Sequence, residues 1–358
     1  MRTLIIFCMT VYGLTANSQN TVCFSIEANP NTSDPALSVF SKYIDVFGCS
    51  IYAESTISDD KVLHAAAVWA ELLDNDEDGT IDDPMLLSML VYNNAMMPIF
   101  YSDGNAAMST FETNYSGSGV SAVLFNDEID PSQTGHWGAD ASVEEIMHTI
   151  NHVGHVNIEP TVFDLSPNSS LLSQAMDSAR GGQWITTPAT YPSDSWYHYD
   201  DVTCDYECMA IEYLYWLQVT NMGILDDPST CAGIANEWEP CSPTLLQSMD
   251  VLGYALVTNP TNKLPQSAPD GNYCPSTSNI LEESEDFFSI YPNPSSTDIT
   301  ITGEFDTNTL IYLSNSLGIV VDIWRTKGNQ SHFDVNCLSS GIYFLQINGT
   351  TRKLLVMD

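Results

Sequence analysis

Three of the chain's seven histidines fall within eight residues, at His148, His152 and His155. In a helix, which turns by about 100° per residue, they share one face with Glu145. The opposite face is apolar and consists of Val143, Ile146, Met147, Ile150 and Val153. Neutral imidazole is the commonest metal ligand in proteins, and two imidazoles one turn apart can hold one ion. The pattern therefore favours a metal or acid–base site over the polar face of an ordinary surface helix.

Glutamates supply the other chemistry that such a site needs. Glu145 precedes His148 by one turn and can act as a general base or as the carboxylate that orients an imidazole. Glu144 is also within reach of His148. A later helix carries Glu212 among apolar and aromatic residues, where a carboxylate needs a partner. We expect His148, His152 and Glu212 to hold zinc, although a hydrogen bond from a tyrosine or a backbone group explains Glu212 equally well.

His148-Thr149-Ile150-Asn151-His152 resembles the His-Glu-x-x-His helix of the zincin metallopeptidases. The resemblance implies a zinc site with a third ligand from a later helix, for which Glu212 is the candidate. In the family, the glutamate activates zinc-bound water. Thr149 stands in its place here and cannot do so, which leaves Glu145 as the candidate catalytic residue. A Glu-x-x-His pair is also half of a di-iron bundle site, but the sequence has no second pair.

The loop before the Glu212 helix is aromatic and acidic. It contains His198 and Asp201, which we assign to the wall of a substrate cleft. An aromatic packing loop is an equally good interpretation of this segment.

A second ion site is predicted in the acidic segment after the first long helix. Asp74, Asp76 and Asp78 occupy positions one, three and five of a calcium-type loop, and Thr80 and Asp82 occupy positions seven and nine. Gly79 permits the sharp turn that such loops require. Position twelve is Met85 instead of a bidentate glutamate, with Asp83 as the nearest substitute. The pattern favours a structural calcium ion over a solvated acidic turn.

Composition limits the partners and the compartment. The 358 residues suffice for two or three domains, and the net charge of −37 repels nucleic acid and anionic membranes. Residues 1–18 have the charged start, apolar run and small-residue end of a secretory signal peptide. The rest of the chain has no apolar run long enough to span a membrane.

The cysteines also indicate an exported protein. Eight remain after residue 18, and we expect them to form structural disulfides in an oxidising compartment. The first pairings that we expect are Cys23–Cys49 and Cys231–Cys241. For Cys204 and Cys208 we favour a disulfide, with each other or with other cysteines, over metal ligation.

The pattern changes towards the C-terminus. Residues 264–287 are rich in Pro, Ser, Asn and Glu, which is typical of a linker. Residues 288–358 alternate in short period-two strands, which predicts a small immunoglobulin-like β-sandwich. We therefore expect an α+β chain, with a mainly helical domain at 19–263, the linker, and an all-β domain.

This C-terminal segment carries motifs that resemble a known family. They are Tyr291-Pro292-Asn293-Pro294, Leu338-Ser339-Ser340-Gly341-Ile342-Tyr343-Phe344-Leu345 and Lys353-Leu354-Leu355-Val356. Over about 285–358 the chain resembles the C-terminal sorting domain of type IX secretion cargo in the Bacteroidetes. The resemblance implies passage through the periplasm, the secretion machinery as a partner, and a secreted or outer-membrane surface location. It implies nothing about what residues 19–275 do.

These observations lead to two functional hypotheses. The first is a secreted metal-dependent hydrolase, in its narrower form a zincin-like metallopeptidase. It would bind zinc and a structural calcium ion and act on an unknown extracellular substrate. The alternative is a non-catalytic calcium-binding or adhesive surface protein. The distance from Glu212 to His148 separates them, because zinc bonds are near 2 Å and a separation beyond about 8 Å would leave only a polar helix face.

Overall fold

The computed structural model describes residues 24–132, 140–275, 288–303, 305, 307–315, 320–347 and 350–357. Contacts divide the chain into two compact units, one up to residue 276 and one from residue 277. The predicted signal peptide lies outside the described residues. Across the described ranges, no helix is long and apolar enough to cross a membrane.

The first unit contains both helices and a sheet, in agreement with the α+β prediction. Its strands are β1 (Glu27–Ala28), β2 (Lys42–Val46), β3 (Cys49–Ala53), β4 (Met96–Phe100) and β5 (Leu124–Phe125). Its helices are α1 (Asp59–Leu73), α2 (Pro84–Tyr92), α3 (Ala106–Asn114), α4 (Ser142–Thr149), α5 (Val156–Ile158), α6 (Pro160–Phe163), α7 (Leu171–Ala179), α8 (Tyr206–Asn221), α9 (Pro228–Ile234), α10 (Pro243–Met249) and α11 (Val251–Val257). A π-helical segment, Ile150–His155, joins α4 to α5, and short 3-10 helices lie at Leu37–Val39, Asn126–Glu128 and Pro260–Asn262.

The sheet and the helix α1 form the base on which the rest of this unit packs. The strand order is β1-β2-β3-β4-β5, antiparallel as far as β3 and parallel from β3 to β5. Helix α1 is buried along most of its length and packs on β2, β3 and α4. Asp59 and Asp60 lie in its first turn, where carboxylates interact favourably with the helix dipole. Helix α4 in turn contacts α8, and this contact brings together the two helices that carry the candidate ligands.

The first part of the predicted linker belongs to this unit. Leu264 and Tyr273 are buried, and the backbone N–H groups of Gln266 and Ser267 both donate to Asn75 Oδ1 at 2.8 Å. The linker prediction is therefore wrong for residues 264–275, because buried apolar side chains and these bonds fix the segment against the end of α1. Residues 276–287 lie outside the described part of the chain.

The cysteine predictions have mixed outcomes. Cys231–Cys241 is a disulfide, as predicted, and Cys204–Cys208 is a second one. The predicted Cys23–Cys49 pair is wrong, because Cys49 is a free thiol buried in the core of the first unit.

The second unit consists of antiparallel strands. They are β6 (Phe288–Tyr291), β7 (Asp298–Gly303), β8 (Leu310–Asn315), β9 (Val320–Arg325), β10 (Gln330–Asp334), β11 (Gly341–Ile347) and β12 (Thr350–Val356). They form a three-stranded sheet, β10-β7-β6, and a four-stranded sheet, β12-β11-β8-β9. Phe288 and Ile301 from one sheet join Leu313 and Leu345 from the other in a single hydrophobic core. In β8 and β11, buried side chains alternate with more exposed ones, as period-two strands require.

Candidate functional site

A buried hydrogen-bonded pair fixes the start of the His-rich helix. Asp140 Oδ1 accepts the backbone N–H of Ser142 at 3.1 Å, at the first residue of α4. Its Oδ2 lies 2.7 Å from His64 Nε2, which projects from α1. The two side chains are almost fully buried, so they hold α4 in a defined position on α1.

The amphipathic pattern predicted for this helix is confirmed. The five apolar residues of the predicted stripe are all buried in the main core: Val143, Ile146, Met147, Ile150 and Val153. Burial of that stripe turns the other face of α4, with its carboxylates and His148, towards α8 and a cavity.

The backbone remains helical through Gly154. From Ile150 to His155 it widens into a π-helix, in which Val156 N–H bonds to the carbonyl of Asn151, five residues earlier. A Cβ at Gly154 would lie 2.4 Å from Leu86 Cδ1, so the glycine is needed for the close approach of α2. The α4 helix, the π-helical segment and α5 therefore form one continuous helical segment.

The π-segment removes His155 from the predicted ligand face. His155 is buried, its Nδ1 lies 3.0 Å from Asn151 Oδ1, and its ring packs 5.3 Å from that of Phe163. Burial lowers the pKa of His155 to about 4, so the ring is neutral in the fold. The prediction that it shares the face of His148 is wrong, because the helix does not keep a constant period through this segment.

His148 lies between two carboxylates from different helices. Its Nδ1 is 3.5 Å from Glu145 Oε2, and its Nε2 is 3.4 Å from Glu212 Oε2. Glu144, Glu145 and His148 each offer a ligand atom, and these atoms lie within 4.8 Å of one another. His148 Nε2 is buried and forms no well-directed hydrogen bond among the described residues.

The charges in this cluster perturb one another. Burial alone would lower the pKa of His148, but attraction to Glu212 and hydrogen bonding to Glu145 raise it well above its usual value. Burial raises the pKa of Glu144 to about 7, with the neighbouring carboxylates adding to the effect and His148 opposing it. Glu144 is also hydrogen-bonded to Tyr215. Without a metal ion, an imidazolium therefore compensates part of the negative charge.

The cluster opens into a cavity of about 390 Å³ between α4 and α8. The ionisable residues of its lining are Glu144, Glu145, His148, His152, Glu207 and Glu212. The lining residues, all from the described part of the chain, include no Lys or Arg. Four carboxylates and two imidazoles thus face a volume in the range of small-molecule sites.

His152 and Thr149 occupy different environments. His152 is exposed and faces the cavity, but it is not one of the three residues whose ligand atoms converge. Partial loss of hydration beside the cavity lowers the pKa of His152, with Glu207 opposing the effect, so the ring is largely neutral at pH 7. Thr149, at the position of the zincin base, is fully buried and does not line the cavity.

His198 and Asp201 are engaged in their own loop. His198 Nε2 lies 2.9 Å from the carbonyl of Ser195, and Asp201 Oδ1 accepts the backbone N–H of Thr203 at 2.8 Å. Among the described residues, neither lines the cavity at His148. The predicted cleft wall is therefore not part of this cavity.

In the acidic loop from Asp74 to Asp82, aspartate side chains accept hydrogen bonds from the backbone N–H groups of the loop itself. Ligand atoms of Asp74, Asp76 and Asp78 lie within 4.8 Å of one another. Asp74 Oδ2 accepts the N–H of Gly79 at 2.9 Å, and Asp82 Oδ2 accepts the N–H of Asn75 at 2.8 Å. Gly79 has φ +89°, a conformation that glycine adopts without strain. Thr80 donates its N–H to Asp78 Oδ1 at 2.7 Å.

Asp83 does not supply the carboxylate ligand that is missing at position twelve of this loop. Met85 is 65% exposed, and the Asp83 carboxylate accepts the Met85 N–H at 3.1 Å and pairs with Lys263 at 3.2 Å. Asp83 is thus committed to the start of α2. The buried Asp74 Oδ1 has no hydrogen-bond partner among the described residues, while Oδ2 also accepts the Tyr273 hydroxyl at 2.6 Å.

Sequence reasoning missed Glu207, which lines the cavity, and Tyr215, which is hydrogen-bonded to Glu144. Both residues lie on α8 with Glu212. The signal was present, since Tyr215 follows Glu212 by three residues on one helix face. A tyrosine was considered as a hydrogen-bond partner for Glu212, whereas Tyr215 is hydrogen-bonded to Glu144.

Comparison with known families places the second unit. Residues 289–356 match the model of the secretion system C-terminal sorting domain. This is the sorting domain of the type IX secretion system, so the chain is a secreted or cell-surface protein that interacts with that machinery. No curated protein shows a significant match to the chain.

Proposed function

We propose that the first unit is a secreted metal-dependent hydrolase with its metal at His148. The observation that carries this proposal is the position of His148, between Glu145 and Glu212 in a cavity lined by carboxylates. Such an excess of half-buried negative charge is costly unless a cation compensates it. A Glu212–His148 contact of 3.4 Å also meets the condition that separates the enzyme from a plain polar helix face.

The residues present fit a zinc ion. His148 Nε2 is buried, forms no well-directed hydrogen bond among the described residues, and has a carboxylate beside it. Imidazole nitrogen and carboxylate oxygen are ordinary zinc ligands. We assign His148 Nε2 and Glu212 to the metal, with His152 as the third ligand from the same cavity. When bound, zinc would supply a water of lowered pKa and polarise a carbonyl group.

The remaining carboxylates have roles that their surroundings define. Glu145 Oε2 lies on the Nδ1 side of His148, where it orients the imidazole or acts as the base. Glu144 has a pKa of about 7 and is hydrogen-bonded to Tyr215, so it can hold or release a proton near neutral pH. Neither role requires a residue at position 149, so we place the proton transfer on these glutamates.

The zincin-like form of this hypothesis has less support. Thr149 cannot act as a base, and its side chain is buried away from the cavity. A metallopeptidase built on this helix would need Glu144 or Glu145 in the role that the family gives to the residue after the first histidine. We therefore propose a hydrolase whose substrate carries either a peptide bond or an ester bond.

We further propose a structural calcium ion in the loop from Asp74 to Asp82. The unpartnered Asp74 Oδ1 and the convergence of Asp76 and Asp78 on it support this assignment. The missing twelfth ligand predicts weak binding, suited to an extracellular medium in which calcium is abundant. The same loop supports the alternative function, a non-catalytic calcium-binding or adhesive surface protein.

We propose that the functional unit begins after the signal peptide at 1–18. We also propose that the two antiparallel sheets of the sorting domain form an immunoglobulin-like sandwich. The shared core of the two sheets supports the second of these assignments.

Metal content tests the central proposal. The full chain, purified without added metal, should carry zinc in a ratio close to one per chain by mass spectrometry. His148→Ala should lose this zinc, whereas His332→Ala, which removes an exposed histidine of the sorting domain, should retain it. Zinc that is absent from the wild type, or unchanged in His148→Ala, would show that this cluster is not a zinc site.

Activity separates the enzyme from a structural metal site. The zinc-loaded protein should hydrolyse fluorogenic casein or p-nitrophenyl acetate, and Glu144→Gln should lose that activity while retaining zinc. A zinc-loaded protein that is inactive on both would favour the non-catalytic alternative.

A further inference from the structure

A second, larger cavity of the first unit lies away from the His148 cluster. It has a volume of about 740 Å³ and lies where β3 and β4 begin, between the end of α2 and the loop after α3. Its floor is the small hydrophobic core that contains Leu37, Tyr52 and Met96. We call this cavity the tyrosine cleft.

Four tyrosines line the tyrosine cleft: Tyr43, Tyr52, Tyr92 and Tyr115. Tyr92 is 78% exposed, Tyr43 and Tyr115 are half-buried, and Tyr52 is buried with its ring 5.1 Å from that of Tyr43. Exposed aromatic faces are costly in water, and each offers an apolar surface beside a hydroxyl. Such rings suit a ligand whose faces are apolar and whose edges are polar.

Asparagine side chains surround these rings: Asn31, Asn93, Asn94 and Asn114. In three of them the protein already fixes the amide, since Nδ2 donates to Tyr52 Oη (2.6 Å, from Asn31), to the Val153 carbonyl (3.2 Å, from Asn93) and to the Thr110 carbonyl (2.7 Å, from Asn114). Their Oδ1 atoms accept no hydrogen bond in the part of the chain that the structure describes. Oriented acceptors of this kind favour hydroxyl donors.

The backbone around the cleft is held rigidly. Asn94 has φ +55°, a left-handed conformation that asparagine adopts more readily than most residues. A Cβ at Gly119 would lie 2.0 Å from the Asn94 carbonyl oxygen, so only glycine permits this approach of the two segments. Gly119 O also accepts the Met96 N–H at 2.8 Å. The wall formed by residues 114–118 is therefore anchored next to the polar groups.

The side chains that line the cleft disfavour anionic ligands and metal ions. Among the described residues that line the cleft there is no Lys, Arg or His to compensate a phosphate, a sulfate or a uronate, and the net charge of −37 would repel these anions. Its one carboxylate, Asp34, accepts the Ala36 N–H at 2.8 Å. A single engaged carboxylate provides neither a metal site nor the pair of acids that glycoside hydrolysis needs.

From these features we infer that the tyrosine cleft binds a neutral saccharide without cleaving it. A sugar ring presents C–H groups on its faces and hydroxyls at its edges, which match the tyrosine rings and the asparagine acceptors. The sorting domain delivers the chain to the outside of the cell, where polysaccharides are found. The inference does not depend on the metal site, which lies in a separate cavity.

Affinity electrophoresis of the full-length protein tests this inference. Native gels contain one polysaccharide each: laminarin, mannan, xylan or galactan as neutral polymers, and alginate as a polyuronate. We expect at least one neutral polymer to retard the protein and alginate to leave its mobility unchanged. Retardation by none of the four neutral polymers, or by alginate alone, would overturn the inference.

Variants locate the binding surface. Tyr92→Ala removes a ring that is 78% exposed, so the fold should be unaffected, and the apparent affinity should fall about five- to tenfold. Tyr101→Ala is the matched control, because Tyr101 is 53% exposed and does not line the cleft. Asn31→Ala should also weaken binding. Retardation that Tyr92→Ala and Asn31→Ala leave unchanged would show that the saccharide binds elsewhere.

Discussion

His148 Nε2 lies 3.4 Å from Glu212 Oε2, and this contact joins α4 to α8 across 64 residues of sequence. On the other side of the ring, Nδ1 is 3.5 Å from Glu145 Oε2. The imidazole is therefore held between a carboxylate of its own helix and one of a neighbouring helix. A ring fixed in this way presents its nitrogens in defined directions, which is what a metal site requires.

The two carboxylates should contribute unequally to zinc affinity. Glu212→Gln removes the proposed ligand, and we expect it to weaken zinc binding by more than about a hundredfold. Glu145 is not a proposed ligand, so Glu145→Gln changes zinc binding only through the orientation of the ring, and such partners typically change the affinity about 10- to 100-fold. Competition with a chromogenic chelator measures both values.

Glu239→Gln is the control for these variants, since Glu239 is exposed and does not line the cavity. It should bind zinc as the wild type does. A larger loss in Glu145→Gln than in Glu212→Gln would contradict the assignment and place the ion on the Nδ1 side.

Calcium should stabilise the first unit through the acidic loop. With a dissociation constant in the extracellular range, about 10 mM calcium should raise the free energy of unfolding by about 1–3 kcal/mol. Asp76→Asn should remove most of this gain, because it deletes a charge while keeping the oxygen that accepts the Asp78 N–H. Urea unfolding with and without calcium measures the effect.

A charge-matched variant distinguishes specific binding from screening. Glu112→Gln changes the net charge by the same amount at an exposed position on α3 and should keep the full response to calcium. An equal loss in Asp76→Asn and Glu112→Gln would mean that calcium acts only by screening the acidic surface.

Local patterns were sufficient for much of the fold. The apolar stripe of α4 is buried as expected. Period-two strands predicted the β character of the C-terminal unit. These features depend on neighbours in sequence, which a period of 3.6 or 2 describes directly.

The failures depend on contacts between distant residues. The π-segment is invisible to an argument that assumes a constant helical period, and it turns His155 into the core. Asp83 pairs with Lys263, 180 residues away, and so is not available to the acidic loop. Glu212 was identified because a carboxylate in apolar surroundings needs a partner. The tyrosine cleft was missed because its residues are scattered along the chain.

The disulfide Cys231–Cys241 should contribute measurably to stability. Its loop has a sequence separation of 10, for which the loss of chain entropy in the unfolded state predicts about 3 kcal/mol. Replacing both cysteines by alanine should lower the free energy of unfolding by that amount in urea titrations under non-reducing conditions. Cys337→Ala, at an exposed free cysteine, should have little effect. Equal stability of the double variant and the wild type would contradict this prediction.

His155 should make the first unit sensitive to acid. Its pKa is about 4 in the fold, against the usual 6.5 in an unfolded chain, because burial disfavours the charged ring. The unfolded state therefore binds the extra proton first, so this contribution to stability is complete above pH 6.5 and is lost as the pH falls towards 4. The loss is on the order of 3 kcal/mol. Urea titrations at pH 7 and pH 4.5 should show a smaller decrease for His155→Phe than for the wild type, whereas His332→Ala should behave as the wild type does. An identical decrease in His155→Phe would mean that other groups cause the acid sensitivity.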